Sequence, residues 1–146
     1  MPDNNNDIMI LESKIADLES QVRTLNNQKD ELEKQKTEII NFITSFNEMY
    51  EIYKTSIDSI GKKVTNVKYD GSSNDSSLND LIEINSDIIK VSHDTIEEMN
   101  EKKETIDKKI DDKEKEINDK IEKIETDIQK CNSQIETYRA ELKALG

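Results

Sequence analysis

Residues 66–80, NVKYDGSSNDSSLND, decide the fold. This stretch gathers a glycine, four serines and several Asn and Asp side chains in the middle of a chain that otherwise has few breaks. Such residues favour turns because they tolerate unusual backbone angles or bond their own backbone. Immediately before it, Gly61 suits a helix C-terminus, and Lys62 and Lys63 complement the negative end of a helix dipole. Near its end, Ser77 suits a helix N-cap, with Asp80 three residues on as a short form of the capping box. The stretch therefore reads as a reversal between two helices.

Working outward, each side of the reversal carries a long apolar stripe. Stepping alternately three and four residues from Ile8 lands on Leu11, Ile15, Leu18, Val22 and Leu25, then on Leu32, Ile39, Ile43, Phe46, Tyr50, Tyr53, Ile57 and Ile60. Lys29 and Lys36 alone interrupt the series. On the far side the steps run from Leu78 through Ile82, Asn85, Ile89, Ser92, Ile96, Met99, Lys103, Ile106 and Ile110. After Lys113 they take two fours in a row, through Ile117 to Ile121, before resuming to Leu145. A spacing of 3.5 residues held this long is a coiled-coil seam, and the doubled four is a stutter that locally relaxes the supercoil. The expected fold is an all-α antiparallel two-helix coiled-coil hairpin that completes a four-helix bundle with a partner or second copy. Residues 1–7 are expected to form a disordered tail, 8–60 the first helix, 61–77 the turn, and 78–145 the second helix. At about 1.5 Å per residue the helices are roughly 80 and 100 Å long. A domain-swapped dimer has the same pattern.

Composition supports that reading and narrows function. Charged residues make up 37% and aromatics 4% of the 146 residues, which starves an ordinary globular core but suits long coiled-coil helices. The net charge of −12 argues against nucleic acid, whose phosphates select clustered Lys and Arg, and against anionic membrane surfaces. No segment has the roughly 20 apolar residues of a membrane span, and MPDNNND lacks the basic and apolar regions of a signal peptide. The protein is expected in the cytoplasm, without membrane insertion.

Catalytic chemistry has little to draw on. The one histidine, His93, and the one cysteine, Cys131, are about 57 Å apart if they share a straight helix. Cys131 falls on the apolar stripe and reads as a small core residue. His93 with Asp94 and Glu97 is at most half of a metal site, since zinc needs three or four ligands. A calcium loop starting at Asp70 fails because its twelfth position is Leu81, where a bidentate Glu is required. No catalytic residue, metal ligand or cofactor is expected.

The apolar surface widens near the turn. Phe42, Met49 and Ile52 on the first helix, and Leu81, Ile84, Ile88 and Val91 on the second, lie outside the seam and form stripes that the fold-back sets side by side. Either the helices roll to bury a thicker core, or the stripes bind a helical partner. On the second reading these seven residues are the partner-binding surface.

The layout resembles the small helical-hairpin proteins of type VII (ESX) secretion, and in length the YwqH-like members that accompany LXG toxins. Those turns carry Trp-x-Gly, and here Tyr69-Asp70-Gly71 occupies the matching place. Exported members end in Tyr, three residues, then an acid. This chain has Tyr138-Arg139-Ala140-Glu141, with the acid one position early. The resemblance thus implies an accessory or targeting partner of an effector, holding the effector's helical N-terminal region or pairing with itself. Export alongside that partner, by a route independent of a signal peptide, is also implied. A structural rod or tether is the main rival reading, a prefoldin-like chaperone the third, and an enzyme the last.

Overall fold

The computed structural model describes the backbone of residues 4–70 and 76–146, and the side chains of 4–63 and 83–146. Two helices account for nearly all of it, α1 (Asn4–Asp70) and α2 (Ser76–Leu145), with no strand among the described residues. The fold is a helical hairpin.

The helices are longer than the sequence boundaries suggest. Residues 4–7 join α1, whose first turn carries Asp7, an acid that favours the positive end of the helix dipole. At the other end α1 continues through Gly61 to Asp70. A glycine inside a helix costs about 1 kcal/mol relative to alanine, which tertiary packing readily offsets. Here Gly61 faces Ser92 of α2, so the helix has a partner at the position where it was expected to stop. The backbone of α2 begins at Ser76, one residue ahead of the expected cap Ser77. Gly71 and the side chains of Tyr69, Asp70 and Leu81 lie outside the described residues.

The chain divides into two compact units. The first combines Met1–Ile39 with Asp112–Gly146. In it Leu18, Cys131 and Ile135 form a buried cluster, packed against by Ile15, Val22, Leu25 and Tyr138. Ile117 is the most enclosed side chain among the described residues, at 1% exposure. Lys14 lies over the Tyr138 ring, Arg139 pairs with Glu19 at 2.7 Å, and Lys29 pairs with Glu125 at 2.7 Å. Lys14 and Glu19 near the start of α1 meet residues 138 and 139 near the end of α2, while Lys29 meets Glu125 further back, so the pairing is antiparallel. Lys29 occupies a seam position, and the hydrogen bond its ammonium donates to Glu125, helped by that carboxylate's charge, holds its pKa above the usual lysine value. One of the two interruptions of the apolar stripe is thereby accommodated. Cys131 donates a weak hydrogen bond to Gln21 Oε1 at 3.8 Å and sits in the core, as its place on the stripe suggests.

The second unit, Ile40–Asp111, is also antiparallel: Tyr50 bonds Asn100, and Gly61 faces Ser92. Its seam departs from the expected frame. After Tyr50 the inward positions are Lys54, Ile57 and Gly61, whereas Tyr53 and Ile60 are exposed. Two four-residue steps in a row, Phe46 to Tyr50 to Lys54, constitute a stutter that the apolar character of Tyr53 and Ile60 conceals. The cause is the mismatch between 3.6 residues per turn and a 3.5-residue frame, which shifts the contact line until one residue must be skipped. In α2 the stutter falls at Ile106, Ile110 and Glu114, so Glu114 is half-buried and Lys113 exposed.

Candidate interaction surface

Tyr50 anchors the second unit and is its one buried hydrophobic residue among those described. Its hydroxyl donates to Asn100 Oδ1. Lys103 lies 5.4 Å from the ring centre on α2 and Lys54 6.0 Å away on α1. The Lys103 ammonium also bonds Asp107 at 2.9 Å, and that hydrogen bond raises its pKa. An aromatic staircase leads outward from this anchor along α1. Phe46 stacks on Tyr50 with centroids 6.5 Å apart, and Phe42 on Phe46 at 6.0 Å. Offset aromatic pairs at such distances are favourable beyond their buried area. The staircase begins in the core and ends at a Phe42 ring that is 56% exposed.

Phe42 is not alone outside. Met49, Ile52, Ile84, Ile88 and Val91 are all exposed, from 39% for Ile88 to 66% for Ile52. These side chains are therefore not part of a thicker core within this chain. Tyr53 and Ile60, which the sequence assigns to the seam, join them outside. By contrast, Met9 and Ile10 are the large apolar residues so exposed in the first unit among those described. Most of the buried hydrophobic residues among those described lie in the first unit, and most of the exposed large ones in the second.

The stutter gives that surface its shape. Phe42, Met49, Tyr53 and Ile60 each immediately precede a seam residue, namely Ile43, Tyr50, Lys54 and Gly61. At about 100° per residue they share one flank of α1. Ile88 precedes the seam residue Ile89 in the same way, with Ile84 and Val91 beside it on α2. In an antiparallel pair the rows preceding the seam lie on the same side, so both stripes open onto one flank. They are staggered along it rather than level. Since Gly61 faces Ser92, Ile88 and Ile84 fall beyond the Ile60 level, toward the reversal. Ile52 points further round α1, off this row.

No group of three or more His, Cys, Asp or Glu side chains among the described residues is placed to hold a metal ion. His93 is exposed beside a recess of about 220 Å³ whose lining includes Ile57, Gly61, Ser92 and Ile96. The recess exists because glycine and serine face each other there. No helix among the described residues is long and apolar enough to cross a membrane. The residues that sequence reasoning missed are Tyr53 and Ile60, and no signal in the pattern distinguishes them from seam residues. No protein-family model, curated protein or solved structure matches the chain.

Proposed function

We propose that the protein is a non-catalytic helix-binding module that holds another helical protein against the exposed flank of its second unit. The observation that carries this reading is the concentration of large apolar side chains there. Phe42, Met49, Tyr53, Ile60, Ile88 and Val91 are each more than a third exposed; Ile40, Ile52 and Ile84 of the same unit are exposed as well, against Met9 and Ile10 in the other. Uncovered patches of this kind mark interaction sites, because leaving them in water forgoes about 25 cal/mol for every Å² a partner would cover. A partner hairpin laid there completes a four-helix bundle. The resemblance to type VII hairpins supports an effector's helical region as that partner, held in the cytoplasm before export.

Co-expression with the products of neighbouring genes, followed by pull-down, tests the reading. Ile88→Asp should abolish or strongly weaken capture while leaving the melting temperature of the isolated protein nearly unchanged. Ile117→Asp should instead unfold the chain, since it leaves an unpaired charge in the core at a cost of several kcal/mol. If Ile88→Asp lowers the melting temperature as far as Ile117→Asp does, the flank is structural. Should no neighbour bind while the purified chain assembles end to end, the protein is a tether.

A further inference from the structure

The two rows that border the binding flank differ in chemistry. On α1 the row is apolar: Phe42, Met49, Tyr53 and Ile60. On α2 the corresponding row, each member immediately preceding a seam residue, runs Ile88, Thr95, Lys102 and Lys109. Tyr50 pairs with Asn100 and lies against Lys103, which places Lys102 about level with Met49 and Lys109 about level with Phe42. Both lysines are exposed, and neither forms an ion pair among the described residues. The four members of the α2 row include no Asp or Glu, while Glu98, which precedes the seam residue Met99, lies beside them at the angle that Val91 occupies. In a chain of net charge −12, a row whose charged members are both lysine stands apart.

Resting on the binding role proposed above, we infer that the occupant of this flank is an amphipathic helix with an acidic edge. Its apolar stripe covers the Phe42–Ile60 row, and carboxylates spaced seven residues apart along one edge meet Lys102 and Lys109. The two lysines are seven residues apart, about 10.5 Å along a helix, and the apolar row spans about 27 Å, or five turns of a partner. Opposed charges at the rim of a helix pair fix partner choice and orientation. A second copy docking by the same flank sets lysine against lysine, which disfavours self-association there. An anionic membrane offers matching charge, but the net negative charge of the whole chain repels it.

Two synthetic helices of about 21 residues, identical in their leucine stripe, test this on the full chain by fluorescence anisotropy. One carries glutamate at every seventh position along one edge, the other lysine. The glutamate-edged helix should bind at least about tenfold more tightly than its twin, and more weakly as salt rises. The double variant Lys102→Glu/Lys109→Glu should reverse that preference, with an unchanged melting temperature. Equal binding of both helices, or no reversal in the double variant, overturns the acidic-edge inference. If Met49→Asp still abolishes that unselective binding, the helix-binding reading survives it. Binding of neither helix, together with retention on anionic phosphatidylserine vesicles, overturns both.

Discussion

Gly61 shows how one residue can carry two opposite messages. In sequence a glycine followed by two lysines is a helix terminator, and the turn-rich stretch after it reinforces that reading. In the folded chain its backbone is helical, and the space above its Cα is bounded by Ser92, whose Cβ would lie 3.9 Å from an added methyl group. That is ordinary van der Waals contact, so a side chain fits. Gly61→Ala should therefore stabilise the protein by about 1 kcal/mol, through the lower backbone entropy of the unfolded chain and added contact in the recess. Thermal melts followed by circular dichroism measure it. A lower melting temperature for Gly61→Ala would mean that the helix does end near residue 61. Cys131, by contrast, sits in the core as its place on the stripe foretells, bonded to Gln21 across the seam, whereas Lys29, an interruption of the stripe, is accommodated by Glu125 of the other helix.

At the scale of the element, the sequence makes the two helices and their reversal legible, because 3.5-residue spacing persists on both sides of residues 66–80. It also makes most of the exposed apolar flank legible: Phe42, Met49, Ile84, Ile88 and Val91 fall off the seam in any frame. The frame shift within α1 was hidden. Tyr53 and Ile60 are apolar, so an unbroken heptad passes through them. The true inward positions, Lys54 and Gly61, look unsuited to a core until the packing is known. Lys54 is tolerated because its aliphatic stem can lie along the seam while its ammonium reaches toward the Tyr50 ring. A pair of substitutions separates the frames. Ile57 is inward in both, and Ile57→Lys should cost about 2 kcal/mol or more. Ile60 is inward only in the unbroken heptad, and Ile60→Lys should change stability by less than about 0.5 kcal/mol. Urea titrations of the two variants give these differences directly. Equal losses would restore the unbroken frame.

Over the whole molecule, 33 acidic and 21 basic side chains set attraction against self-repulsion. Of the ion pairs among the described residues, Lys29–Glu125 and Arg139–Glu19 join the two helices, and the rest are within one helix at spacings of three or four. Exposed pairs of that local kind contribute a few tenths of a kcal/mol at most and weaken with salt. The excess of negative charge acts on every residue pair within a Debye length, about 30 Å at 10 mM salt and about 10 Å at 100 mM. Repulsion among many like charges should therefore outweigh two cross-helix pairs. Raising sodium chloride from about 10 to about 300 mM should increase the melting temperature, with most of the gain below about 100 mM where the screening length changes fastest. Arg139→Gln should keep the sign of that salt effect, because the repulsion it reports is distributed over the chain. A melting temperature that falls with added salt would show instead that the few cross-helix pairs dominate, and that the acidic faces cost the hairpin little.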